Sequence, residues 1–248
     1  DIMAYMRRSY GAKAMVLTAA GNIEHEAALA LAQSLFGGLA PGSRTSAVPG
    51  RYRGGDYREE RELEQVHLVL GFPAIGYHDD DFYAANVLSS LFGGGMSSRL
   101  FQEVRENRGL VYSIYSFTSS YADGGLFGVY AGTGKDDVDG LIPLIFDEIE
   151  KLRHAIPEEE IARARAQIKA GILMSLESTA ARCEKLARQM IVFKRPIPID
   201  ETITRIDAVD GAAIRRVAER LLSERPTITA LGPVPDLEDL EKLAAAPS

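Results

Sequence analysis

Residues 110–131, LVYSIYSFTSSYADGGLFGVYA, decide the fold. They read as two strands, 110–121 and 126–131, joined at Asp123-Gly124, a dipeptide suited to a tight hairpin because it tolerates positive φ. Just before them Gly109 sits where a helix ends, and residues 97–107 place Leu100, Phe101 and Val104 on one apolar side of a short helix. Gly93-Gly94-Gly95 separates that helix from an earlier one, which opens at Asp79-Asp80-Asp81 and runs to about Leu91. Its acids lie at the positive end of the helix dipole, and Phe82, Ala85, Leu88 and Ser89 form its inner face. Residues 66–72 (VHLVLGF) read as a strand. Beyond the hairpin, residues 136–155 read as a helix. Pro157 with Glu158, Glu159 and Glu160 opens another helix, whose pattern continues to about Phe193 with a bend expected near Gly171 or Ser178. Helices over 200–208 and 211–222, a strand over 227–231 and a terminal helix over 237–245 complete the series. The expected fold is α+β, with helices packed on a mostly antiparallel sheet.

The first fifth of the chain has a different texture. Residues 2–9 read as a helix end closed by Gly11, and residues 14–20 (AMVLTAA) as a buried strand. From Ile23, Ala27, Ala28, Leu31, Ala32 and Leu35 recur at helical spacing until Gly37-Gly38 stops them. Residues 38–55 are rich in Gly and Pro without apolar periodicity, which marks a linker. The expected division is 1–48, the tail of one domain, and 49–248, a complete second one. A short repeat supports it: Thr18-Ala19-Ala20-Gly21 then Ile23 resembles Thr229-Ala230-Leu231-Gly232 then Val234. Each is a strand–Gly–helix unit, so a complete protein is expected to hold two similar domains.

Composition narrows the chemistry. The chain has 248 residues, 46% hydrophobic and 25% charged, so a buried core is expected. Its formal charge of −7 is the wrong sign for a protein that coats phosphate backbones. One cysteine, Cys183, excludes an internal disulfide or a multi-cysteine metal cage. No apolar run reaches the length of a membrane span. The chain starts at Asp1 with no leader pattern, so targeting is not legible and a cytoplasmic location is favoured.

Several catalytic motifs fail on spacing. No two of His25, His67, His78 and His154 stand at the i, i+4 spacing that a helical zinc site needs. His154 and Glu158 have it, but Pro157 between them ends the helix. Gly132-Thr133-Gly134-Lys135 lacks the first glycine of a phosphate loop and has Asp136 where Ser or Thr would meet magnesium. Gly93-Gly94-Gly95 follows a helix, whereas a dinucleotide fingerprint follows a strand. Gly95-Met96-Ser97-Ser98 lacks the second glycine of a nucleophile elbow. Cys183 lies mid-helix and reads as a packing residue.

One segment remains. GGGMSSRLFQEVRENRGLVYS, residues 93–113, followed by Ser119-Ser120-Tyr121-Ala122-Asp123-Gly124-Gly125-Leu126, resembles the pitrilysin/insulinase family of zinc peptidases, in its bacterial and mitochondrial processing-peptidase branch. AAGNIEHE at residues 19–26 resembles the end of that family's metal-bearing domain. The likeness implies tandem α+β domains of the LuxS/processing-peptidase-like metallohydrolase fold, the first carrying HxxEH with a distal Glu and the second metal-free. This chain would be the last part of the first domain and the whole of the second. Zn2+ would belong to the full-length enzyme or a partner, and this chain would bind none and be inactive alone. The reaction implied is cleavage of extended peptides or presequences by metal-activated water.

The resemblance also implies a substrate-binding pair, Arg105 and Tyr112. A guanidinium fork and a phenol are donors suited to backbone carbonyls, and a phenol near the scissile carbonyl stabilises developing charge by roughly 2.7–4 kcal/mol in comparable sites. The residues alone also allow Arg105 to complement a helix dipole and Tyr112 to pack in the core. Arg99 is expected to anchor the glycine turn and Arg108 to be solvated. Arg163, Arg165, Lys169, Arg182, Lys185 and Arg188 are expected on a solvated or domain-facing surface. The partners implied are a peptide, the zinc domain or a partner subunit, and a second copy as a homodimer; nucleic acid is not implied. A non-catalytic structural or partner subunit is the rival reading.

Overall fold

In the computed structural model, residues 1–42 and 48–234 are described. Five strands form one sheet: β1 (Gly55–Glu60), β2 (Val66–Ala74), β3 (Val111–Ser120), β4 (Gly125–Thr133) and β5 (Thr227–Gly232). Their order is β1-β5-β2-β4-β3. Only β1 and β5 run parallel; the other pairings are antiparallel. The helices are α1 (Ile2–Ser9), α2 (His25–Phe36), α3 (Phe82–Gly93), α4 (Val138–Lys151), α5 (Glu158–Ser175), α6 (Thr179–Phe193), α7 (Ile199–Asp207) and α8 (Gly211–Leu221), with a π-helix over Phe101–Asn107. Helices around a mostly antiparallel sheet are the expected fold class.

Two compact units divide the chain. One holds Asp1–Pro49 and Ala170–Ile199; the other holds Gly50–Lys169 and the chain from Asp200 onward.

The second unit contains the sheet. Along β2, Val66, Leu68, Leu70 and Phe72 are fully buried, and Phe127, Val129 and Ala131 of β4 match them. Alternate side chains of a strand share a face, so these residues define one covered side. Phe127 lies 6.2 Å from Phe72 and 6.1 Å from Phe92 of α3, while Phe146 of α4 meets Phe72 edge-on at 5.8 Å. Ile214, Val217, Ala218 and Leu221 bury the inner side of α8. Its outer side reaches back to the loop before α3: Arg220 pairs with Asp79 at 2.7 Å and Arg216 with Asp81 at 2.7 Å. The acidic run therefore does more than open a helix. The opposite side of the sheet leaves Tyr115, Phe117 and Leu126 exposed.

The bend expected near Gly171 or Ser178 is a full break at 176–178, where Ser178 caps α6 by accepting from the Ala181 N–H. Arg165 and Lys169 are not merely solvated. Arg165 donates to the Asp207 and Val209 carbonyls, and Lys169 pairs with Asp207, which ties α5 to the α7–α8 connection.

In the first unit α1, α2 and α6 bury no residue. The expected buried strand over 14–20 is corrected here. A 3₁₀ turn, Ala12–Ala14, precedes an extended stretch without a ladder partner among the described residues, and Leu17 is 67% exposed. A strand is defined by its neighbours, and apolar composition alone supplies none. Thr18 nevertheless docks on α6, its hydroxyl donating to the Cys183 carbonyl at 3.1 Å. The expected terminal helix over 237–245 lies outside the described residues.

Candidate functional site

The glycine turn is fixed from both sides. A Cβ on Gly93 would stand 2.4 Å from the Ser116 backbone nitrogen, so only glycine lets α3 approach β3 this closely. The Ser98 hydroxyl donates to the Gly95 carbonyl, Gln102 to the Met96 carbonyl and Gln167 of α5 to the Gly94 carbonyl. Arg99 forks onto Glu160 of α5 at 2.7 and 3.3 Å, with both side chains largely buried. That is the anchoring role expected of it.

From this anchor the chain winds into the π-helix. Val104 is its buried residue. Glu103 accepts from Asn107 at 3.1 Å and Arg108 at 3.0 Å, and these hydrogen bonds, that from Asn107 foremost, hold its carboxyl below the usual range. Arg108 is exposed but paired. The segment closes when the Leu110 N–H bonds the Val104 carbonyl and the Gly109 N–H bonds that of Arg105, with Gly109 at φ 67°. This double closure requires a left-handed residue, which explains the glycine.

Arg105 lies in the last turn and is exposed. Among the described residues no carboxylate pairs with it. Its guanidinium carbon instead sits 4.8 Å from the centroid of the Phe101 ring.

Tyr112 owes its position to an irregularity. Val111 opposes Thr133 and Ser113 opposes Gly132, so Tyr112 is the extra residue of a β-bulge. It is 68% exposed, which removes the core-packing alternative. The Gly109 N–H is bonded to Arg105, and Tyr112 follows three residues later, roughly 10 Å of extended chain. The two residues therefore flank one helix-to-strand junction, Arg105 in the last turn and Tyr112 at the start of β3, an edge strand.

Sequence reasoning missed what lies further along the exposed face. Tyr115 stacks on Tyr130 at 5.0 Å and lies 6.2 Å from Phe117, whose ring covers Gly128. The Tyr130 hydroxyl is hydrogen-bonded to His67 Nδ1 at 2.7 Å. Strand alternation (residues 115, 117, 128, 130) was the available signal. His67 is thus a partner of Tyr130 on the sheet. Among the described residues no three His, Cys, Asp or Glu converge on a point where a metal could sit. No described helix is long and apolar enough to cross a membrane.

A family model described as the peptidase M16 inactive domain matches residues 1–168. An uncharacterized zinc protease of Streptomyces coelicolor is 35% identical over 249 residues, covering 95% of this chain and 53% of that protein. A probable mitochondrial-processing peptidase subunit beta of Arabidopsis thaliana is 32% identical over 258 residues, covering 98% of this chain and 48% of its own. The chain thus spans about half the length of these relatives. Among solved structures, a chain of complex III2 from Candida albicans superposes with a TM-score of 0.81 at 20% identity, over 91% of this chain and 56% of that one; this shows the shared fold.

Proposed function

We propose, given that this chain belongs to the peptidase M16 family through its inactive domain, that it is the metal-free, substrate-binding half of a zinc-dependent metalloendopeptidase. Residues 1–48 would be the tail of a zinc-bearing domain and residues 49–248 the partner that holds the peptide. The described side chains do not fit a metal, so zinc would be held by an upstream domain or another subunit. The role left to this chain is to grip the substrate, and a cytoplasmic setting is the one we favour.

One observation supports the reading: Arg105, exposed and without a carboxylate partner among the described residues, flanks the same helix-to-strand junction as the exposed, bulged Tyr112. A stretched peptide presents backbone carbonyls at regular intervals. A guanidinium offers a fork of donors and a phenol one more, so together they fix a carbonyl without reading the side chain. An arginine already neutralised by glutamate, as Arg99 and Arg108 are, would do this poorly.

The test is kinetic, in the complete protein. Arg105→Ala is expected to lower kcat/KM for an extended peptide about tenfold or more, the range of a lost hydrogen bond with a charged group, and Tyr112→Phe about two- to tenfold, the range of a neutral one. Wild-type values in both, with the fold intact by circular dichroism, would overturn the pair. If the complete protein supplied with zinc cleaves no extended peptide, the partner-subunit reading replaces the enzymatic one.

A further inference from the structure

We infer that Phe101 is a positioning residue for substrate binding: its ring is the seat on which the Arg105 guanidinium is held for the peptide carbonyl. This rests on the peptide-binding role of Arg105 given above.

The three arginines of the segment are treated differently. Arg99 is spent on Glu160 and Arg108 on Glu103, and Glu103 is further engaged by Asn107. Arg105 alone of the three faces an aromatic ring, 4.8 Å from guanidinium carbon to ring centroid. The two kinds of support have different consequences. A carboxylate engages the N–H edge of the guanidinium and uses up the donors that a substrate carbonyl would need. A ring engages the flat face, so it restricts rotation and leaves the donors at the edge free. Without support, a long, exposed side chain would lose its rotamer freedom on binding.

The backbone supports the arrangement. Phe101 opens the π-helix and Arg105 follows four residues later, a spacing that puts both on one side of the turn. Phe101 is half-buried, so its ring has a fixed base, and the segment is anchored before it by Arg99 and after it by Gly109. π turns recur at functional sites.

The experiment is a double-mutant cycle in the complete protein, read as KM and kcat for one extended peptide. Phe101→Leu keeps an apolar side chain but removes the ring face. It is expected to raise KM about two- to fivefold, the range of an exposed cation–π contact, and to leave kcat near wild type. Phe101→Tyr restores the seat and is expected to restore KM. In the Arg105→Ala background, Phe101→Leu is expected to change nothing further. If it raises KM by the same factor in both backgrounds, Phe101 is a packing residue and the inference fails while Arg105 keeps its role. If Arg105→Ala is itself without effect, the peptide-binding reading fails and this one with it.

Discussion

Gly21 and Gly232 share a left-handed φ, 134° and 137°, although 211 residues separate them in the chain and they lie in different compact units. Each follows a Thr-Ala-x stretch. A shared φ that side-chain-bearing residues rarely adopt explains why both positions of the short repeat hold glycine. The surroundings differ. A Cβ on Gly232 would meet the Gln65 carbonyl oxygen at 2.6 Å, whereas one on Gly21 finds only a Thr179 methyl at 4.0 Å. Gly21→Ala should cost about 1–3 kcal/mol from backbone strain alone. Gly232→Ala should cost about 3–5 kcal/mol, because the strand backbone must also shift. Urea midpoints compare the two; equal losses would mean the contact with Gln65 relaxes freely.

The glycine turn makes a sharper contrast. Gly93→Ala sets a methyl against the Ser116 backbone nitrogen, with the Ser116 side chain also within 3.0 Å. Neither α3 nor β3 can yield without opening the Ser116-to-Ser89 hydrogen bond of 2.7 Å. A loss of about 3 kcal/mol or more is expected. Gly95→Ala meets only the Gln167 amide, the end of a flexible side chain, at 3.0 Å, and should cost under about 1 kcal/mol. Thermal unfolding of both variants measures the difference.

The glycine turn also shows how far the sequence could be read. Where local chemistry dictates structure, the reading held: Asp123-Gly124 turned the β3–β4 hairpin, Ser178 broke the long helix and Gly109 closed the short one. It failed where a distant neighbour decides. Strand β1, Gly-Asp-Tyr-Arg-Glu-Glu, has no apolar alternation and is a strand because β5 lies alongside it. Residues 14–20 have the composition of a strand and no described partner. At the candidate site, the Arg105–Tyr112 spacing was visible in the resemblance, but neither the bulge that turns Tyr112 outward nor the π winding has a local signature. The Phe101 seat was within reach, since an aromatic four residues before an arginine is a pattern a helix converts into contact.

The α3–α8 ion pairs predict a pH dependence. The Arg220 hydrogen bond to Asp79 is the main cause that holds this carboxyl below its ordinary range, against the opposing effect of partial burial; the Asp81 N–H and the Arg220 charge add to it. A carboxyl depressed in the folded state contributes stability above its unfolded pKa, about 3.9. That contribution fades as pH falls through the lower folded value. Arg220→Met should therefore cost about 1 kcal/mol at pH 7. The gap between variant and wild type should close below pH about 4. Urea titrations at pH 7, 5 and 3 test the sign: a gap that widens in acid would contradict it.

The two edges of the sheet are protected unequally. β1 carries Asp56, Arg58, Glu59 and Glu60 among its six residues, and Arg58 pairs with Asp56 at 2.7 Å. β3, at the other edge, has ten residues, none charged and none proline. Charged residues on an edge strand oppose pairing with another chain, whereas an uncharged edge rich in aromatic and β-branched residues invites it. The isolated chain should therefore associate through β3 as its concentration rises, visible as growing light scattering. Ser119→Lys places a charge on this edge and should suppress the growth. Tyr57→Lys adds one more charge to an edge already protected and should leave the growth unchanged. If Tyr57→Lys suppresses association as strongly as Ser119→Lys, association does not run through the β3 edge; net charge cannot account for the suppression, because either lysine lowers the magnitude of the −7 charge and so weakens general repulsion.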